Sequence, residues 1–360
     1  MKILFTFFTP SGGMETLNRI RCKALRKIGV ECHLMYTHDG EGLKNVVDIP
    51  TYVLRGDGEI GWLLEKERFD LVIVCTDDKM LVTMRRIGYQ GPLVFELQGL
   101  GPMETAHAFM SESAGRIRPT TDALLIPRTK HLEMLLAAYL KGMPYFSFDN
   151  PLDTEAFGYV AYPPKPFPII GWIGRLEANK NWREYLLLGA RLIDRYPDAC
   201  LWMFEDSTLR QPHEKAQFDK WVNGLQLQSK LMTLSNVPHA QIADYLSVIG
   251  DSGGFLCSTS VLEGFGYAVA EAMLCRCPVL TTDSDGIRRL LIHNGTGKLY
   301  RQGSIEQAFA EAKSLMGDAT LRSSIRLQAE NHIRQHFSAE QYTAHFMSMA
   351  ETVTKRKSGT

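Results

Sequence analysis

Short apolar runs alternate with helical patterns along this chain, stop at a cluster of prolines, and then start again. That rhythm limits the possible folds more than any other feature. Apolar runs at residues 3–8, 31–36, 71–75, 93–97 and 123–126 are interleaved with helical patterns at 16–28, 60–67 and 130–140. Near-continuous apolar strands alternating with helices predict parallel sheets covered on both faces. The segment Tyr162-Pro163-Pro164-Lys165-Pro166-Phe167-Pro168 then places four prolines in seven residues. It suits neither helix nor central strand and predicts a stiff extended connector. Beyond it, strand patterns recur at 169–173, 200–204, 232–234, 254–257 and 278–281. Helical patterns recur at 182–195, 213–225, 241–247, 267–274 and 305–315, and a last one covers 339–354.

At 360 residues, the chain has room for two α/β domains rather than one core. The expected division is residues 1–162, a linker at 163–168, and residues 169–338. Both halves read as Rossmann-like, with ligands expected at the carboxyl ends of the strands. Lys+Arg and Asp+Glu both number 40, and residues 1–160 carry 18 basic against 20 acidic side chains. Neither balance points to nucleic acid. The seven cysteines include no Cys-x-x-Cys pair, and several lie in apolar runs. Buried reduced thiols, and with them a cytoplasmic location, are the expectation. The apolar run at 3–8 is too short for a signal peptide and reads as a first buried strand. No apolar stretch approaches the roughly 18 residues needed to span a bilayer.

The chemistry concentrates in Val261-Leu262-Glu263-Gly264-Phe265-Gly266-Tyr267-Ala268-Val269-Ala270-Glu271. Two carboxylates flank a Gly-Phe-Gly turn that follows a short strand and opens an apolar helix. Glycines there admit a ligand close to the main chain, and the first helical N–H groups suit an anion. A nucleotide-sugar, anionic in the middle and hydroxyl-rich at both ends, has the matching shape. A second element, Gly171-Trp172-Ile173-Gly174-Arg175-Leu176-Glu177-Ala178-Asn179-Lys180-Asn181, sets Arg175 and Lys180 beside the start of another helix, which suits a diphosphate.

Glu-x7-Glu with its Glu-Gly-Phe-Gly start, preceded by the Gly-Arg-Leu…Lys-Asn element, resembles the donor site of retaining glycosyltransferases with the GT-B fold, the family 4 or group 1 glycosyl transferases. The resemblance covers essentially the whole chain. It implies two Rossmann-like domains with parallel sheets facing a central cleft, and a C-terminal helix crossing back to the first domain. It implies transfer of a sugar from a UDP- or GDP-sugar to a hydroxyl acceptor by a front-face mechanism, with no metal and no cofactor. Arg175 and Lys180 would neutralise the leaving diphosphate, Glu263 would bind sugar hydroxyls and Glu271 the ribose. Gly264, Phe265 and Gly266 would offer main-chain amides, and Gly12 and Gly13, from Ser11-Gly12-Gly13-Met14-Glu15, would approach the donor phosphates.

Departures from that family are visible too. Gln98 stands where relatives carry a His, and His107 is the nearest imidazole able to reach back. Met203-Phe204-Glu205-Asp206-Ser207 stands where many relatives have a Gly-x-Gly turn. Thr76-Asp77-Asp78 and Asp283-Ser284-Asp285 invite a metal reading, but Asp283-Ser284-Asp285-Gly286 reads as a turn into a helix at Ile287, and the family has a comparable turn there without a metal. Arg19, Lys23 and Arg26 share a helical face that reads as solvated; some relatives touch anionic lipid with such a face, and weak peripheral membrane contact is the alternative the resemblance implies. Two other readings stay open: a nucleotide-sugar 2-epimerase on the same fold, and a non-catalytic nucleotide-sugar binder.

Overall fold

The computed structural model describes residues 1–101, 103–155 and 157–358, which form two compact units. The first comprises Met1–Asp153 with Phe337–Thr360, and the second Thr154–His336. The division therefore falls near Asp153, not at the expected linker 163–168. The proline-rich segment is neither helix nor strand and bends at Pro166–Phe167, and it lies inside the second unit, strapped to it at its start. Val160 N–H donates to Ser247 Oγ at 3.1 Å and Tyr162 N–H to Asp251 Oδ2 at 3.3 Å.

In the first unit the strands are β1 (Lys2–Phe7), β2 (Glu31–Tyr36), β3 (Thr51–Val53), β4 (Leu71–Cys75), β5 (Leu93–Glu96), β6 (Ala123–Ile126) and β7 (Tyr145–Ser147). They pair in parallel in the order β3-β2-β1-β4-β5-β6-β7. Its helices are α1 (Gly12–Lys27), α2 (Asp57–Glu67), α3 (Asp78–Arg86), α4 (Met103–Thr120) and α5 (Lys130–Tyr139). The second unit has β8 (Ile169–Ile173), β9 (Cys200–Glu205), β10 (Leu231–Ser235), β11 (Phe255–Ser258), β12 (Val279–Thr282) and β13 (Lys298–Tyr300). These are also parallel, ordered β10-β9-β8-β11-β12-β13. Helices α6 (Trp182–Arg195), α7 (Pro212–Gly224), α8 (His239–Asp251), α9 (Tyr267–Leu274), α10 (Ile305–Gly317) and α11 (Ala319–His336) cover that sheet. The last helix, α12 (Ala339–Ser358), belongs to the first unit, where Tyr342, Phe346 and Met349 pack with Ile3, Phe5 and Leu34.

Both sheets reverse strand order once, between β1 and β4 and between β8 and β11. In such doubly wound sheets ligands bind outside the carboxyl ends at this switch point. Loops leaving β8 and β11 are consequently neighbours, and they are the two segments singled out by sequence.

Several expectations change. Helix α1 begins at Gly12, not near residue 16, with Gly12 at φ +60°. Residues 97–114 contain the start of α4, a helix the sequence pattern does not predict, and residues 39–57 hold a short 3-10 turn and strand β3. Asp77 caps α3 by accepting from Met80 N–H at 3.0 Å, and Asp78 pairs with Arg116. Asp283 pairs with Arg288 at 2.7 Å, and a turn rather than a helix follows it. The cationic face on α1 is broken up, because Arg19 is buried against Glu15 and Arg26 binds the Asp48 carbonyl. No described helix is long and apolar enough to cross a membrane.

Candidate functional site

Strands β8 and β11 pair through Ile170–Phe255 and Gly171–Leu256, so the two loops above them start side by side. A set of short hydrogen bonds then locks the loops together. Val261 N–H donates to the Asn179 carbonyl at 2.8 Å, and Thr259 Oγ1 donates to the Lys180 carbonyl at 2.8 Å. Asn179 Nδ2 donates to the Leu262 carbonyl at 3.1 Å. Beneath them the fully buried Trp172 donates its indole N–H to Thr259 Oγ1 at 3.1 Å.

This scaffold brings Lys180 and Glu263 together. The Lys180 ammonium donates to Glu263 Oε1 at 2.5 Å, and Ser260 Oγ donates to the same oxygen at 2.6 Å. Their side chains are 23% and 15% exposed, so the pair is shielded yet reachable. Both contacts fall on Oε1.

Next to the pair, Gly266 caps the N-terminus of α9 in the left-handed region, at φ +87°. A Cβ at Gly266 would lie 2.6 Å from Ile287 Cδ1, and one at Gly286 would lie 2.2 Å from the Glu263 carbonyl oxygen. Only glycine at 286 lets the turn after β12 lie this close to the Glu263–Gly264 backbone. Phe265 is buried beside Tyr267, with ring centroids 4.9 Å apart. Helix α9 is apolar nearly all round, with Val269, Ala270, Ala272, Met273 and Leu274 buried, so it is fixed as a core element.

Glu271 projects from α9 and is nearly buried. Its Oε1 lies 2.7 Å from His239 Nε2, at the first residue of α8. Arg175 goes elsewhere: half exposed, it pairs with Glu177 at 3.2 Å. The second unit thus joins Lys180 with Glu263, holds Glu271 on a histidine, and leaves Arg175 at the rim. Asn179, Thr259, Ser260 and His239 are the contributors that sequence reading missed. They act through tertiary contacts that no local spacing announces.

A cavity of about 650 Å³ lies elsewhere in this unit, between α7 and strands β9 and β10. Leu176, Met203, Phe218 and Val222 line it, while Arg175, Lys180, Glu263 and Glu271 do not. At its polar end Glu205 accepts from Arg210 Nε at 3.1 Å and from Ser235 Oγ at 2.5 Å. The Glu205 carboxylate is therefore closed off.

Gly12, Gly13, Gln98 and His107 belong to the first unit. Gln98 is tied into a buried network: its Nε2 donates to Glu96 Oε1 at 2.7 Å, and Asn150 Nδ2 donates to its Oε1 at 2.6 Å. Glu96 also receives Arg21 Nη1 at 2.7 Å. Burial opposes charge on Arg21, and the Glu96 carboxylate more than offsets this, raising its pKa. His107 does not reach back to Gln98. It is exposed, with Nδ1 3.0 Å from the Tyr139 hydroxyl.

The architecture has solved counterparts. Anabaena HepE, determined with UDP and glucose, superposes with a TM-score of 0.80 at 18% identity over 98% of this chain and 100% of its own. The sucrose-phosphate synthase from Thermosynechococcus elongatus gives 0.83 at 15% identity, covering 100% of both chains. The chain has the GT-B fold. Within that GT-B framework, residues 160–332 match the model of the family described as Glycosyl transferases group 1. The 2-deoxystreptamine N-acetyl-D-glucosaminyltransferase of Niallia circulans is 20% identical over 166 residues, 46% of this chain and 40% of that protein. The chain's matched segments span less than half the length of the curated relatives.

Proposed function

We propose that this protein is a retaining glycosyltransferase that moves a sugar from a UDP- or GDP-sugar to a hydroxyl acceptor without a metal or cofactor. The observation that carries this reading is the Lys180–Glu263 pair, held at the switch point beside the N-terminus of α9. A cation, a carboxylate and the N-terminal end of a helix dipole there complement a sugar diphosphate. The group 1 match over residues 160–332, and the UDP and glucose in the HepE structure, support the same donor class.

In this mechanism Lys180 exchanges its bond to Glu263 for the donor diphosphate, joined by Arg175 from the rim. Glu263 then accepts from the sugar hydroxyls, and Glu271 from the ribose. Main-chain amides of Gly264, Phe265 and Gly266 border the anion, and Gly12 and Gly13 are assigned the same role from the first unit. The bond between the anomeric carbon and the phosphate oxygen breaks as the acceptor oxygen bonds to that carbon on the same face. The acceptor proton passes to the departing phosphate oxygen, so the nucleoside diphosphate leaves protonated. Positive charge from Lys180, Arg175 and α9 stabilises the departing group as its negative charge grows.

The test is to incubate the full chain with UDP- and GDP-sugars, first alone and then with candidate acceptors, in EDTA and in added magnesium. A retaining transferase releases nucleotide fastest once acceptor is present, at the same rate under both metal conditions, and keeps the anomeric configuration. Conversion of the sugar without any acceptor identifies an epimerase, and binding without turnover identifies a non-catalytic binder. A rate that collapses in EDTA overturns the metal-free mechanism.

A further inference from the structure

The Glu271 side chain is only 8% exposed, and a carboxylate so placed needs a hydrogen-bond donor. His239 supplies one, its Nε2 lying 2.7 Å from Oε1. For an ionised Glu271, Nε2 must carry the proton and donate. The imidazole is itself fixed. It sits on the first residue of α8, directly after Pro238, with its ring 5.0 Å from the Phe157 ring and inclined at 31°. Among the described residues no other side chain hydrogen-bonds to the carboxylate, and the His239 bond falls on Oε1, not Oε2.

We propose that His239 is a positioning residue: by holding Oε1 it aims Oε2 of Glu271 at the vicinal diol of the donor ribose. This rests on the assignment of Glu271 to the ribose made above. Neither the Glu-x7-Glu spacing nor the strand pattern contains His239, which meets Glu271 from 32 residues away in sequence. Without the imidazole, the carboxylate is free to rotate and is left partly desolvated. The ribose then has to organise its own acceptor.

The experiment measures binding of UDP and GDP, and of their 2′,3′-dideoxy analogues, to the full chain by calorimetry. Wild type, His239→Ala, His239→Gln, His239→Leu and Glu271→Ala are compared, each with its melting temperature as a folding control. Wild type should prefer the ribonucleotide. His239→Ala should weaken ribonucleotide binding about tenfold or more, the range for losing a hydrogen bond to a charged group, and leave dideoxynucleotide binding unchanged. His239→Gln, which keeps an N–H at similar reach, should recover most of the preference, whereas His239→Leu, which has none, should lose it and carries the test if the alanine variant does not fold. Equal weakening of both nucleotides, or an intact preference in His239→Ala or His239→Leu, overturns the proposal. If Glu271→Ala abolishes the preference while the His239 variants keep it, only the positioning role fails. If Glu271→Ala keeps it, the ribose assignment fails and the positioning role falls with it.

Discussion

Lys180 and Glu263 are more informative as a pair than either is alone. At 2.5 Å, with 23% and 15% exposure, each neutralises a partner that would otherwise be a poorly solvated charge. Removing one charge leaves an unpaired neighbour and, on the proposed roles, also takes away a contact to the donor. Lys180→Ala and Glu263→Ala should each lower transfer at least about a hundredfold, the range for losing one preorganised electrostatic contact. The double variant should be no less stable than the worse single variant, because it leaves no orphaned charge. Steady-state rates and thermal melts of the three proteins check this, and wild-type turnover in either single variant refutes the roles. The cysteines give a second check at this scale. Six of the seven are buried, and burial pushes the Cys75, Cys257 and Cys275 thiols up, and Cys277 up to about 12. Cys200 alone is partly exposed. A thiol reagent at neutral pH should label Cys200 first in the native protein and the other six only on unfolding, as peptide mass mapping would show.

At the scale of elements, the turn after β12 and the Glu263 loop touch backbone to backbone. Gly286→Ala would put a Cβ 2.2 Å from the Glu263 carbonyl oxygen and 2.7 Å from Gly264 atoms. One loop has to move, so both melting temperature and donor affinity should fall. A Gly286→Ala protein with native donor affinity would show that this loop is not part of the site. Helix α11 is anchored differently, through Glu330. Burial opposes its charge, but Arg276 at 2.6 Å and Arg334 at 3.0 Å bring its pKa below the ordinary carboxylate range. A lowered folded pKa gives stability that is complete above the unfolded value and lost as pH falls through the folded one. The melting-temperature gap between wild type and Glu330→Gln should be widest near neutrality and close below pH ~4.5, the unperturbed value. Such differences also show why the elements were unequally legible in sequence. Parallel strands buried on both faces print as apolar runs, and Leu71, Val72, Ile73 and Val74 are all fully buried. Helix α11 buries only Ile325, Ala329, Glu330 and Ile333 among polar neighbours, too thin a stripe to read. Glu263, Lys180 and Glu271 stood out because their spacing is local. His239 did not, because its meaning comes from a contact across the fold.

For the whole molecule, the prolines marked a segment without helix or strand but not where the units divide. That depends on which contacts cross the chain, and here the last helix returns to the first unit. Phe346 on α12 is fully buried, its ring 5.7 Å from that of Phe5 on β1. Ala350 and Val353 extend the same apolar face. Truncating a buried phenylalanine to alanine typically costs about 3–5 kcal/mol. Phe346→Ala should spend that loss within the first unit, so peptides from α1, β1, β2 and α12 should exchange their amide hydrogens faster. A nucleotide should act on the other unit. At about 100 times its dissociation constant, UDP or GDP adds roughly 2.7 kcal/mol to whatever it binds. Slower exchange is expected in peptides covering residues 174–182, 237–241 and 259–272, the loops after β8, β10 and β11. Hydrogen-exchange mass spectrometry on wild type and Phe346→Ala, with and without nucleotide, reads both effects by peptide. Protection by nucleotide around the cavity between α7 and β10, with those three loops unaffected, would move the donor site away from the Lys180–Glu263 pair. Unchanged exchange in β1 and α1 of Phe346→Ala would show that the last helix does not hold the first unit together.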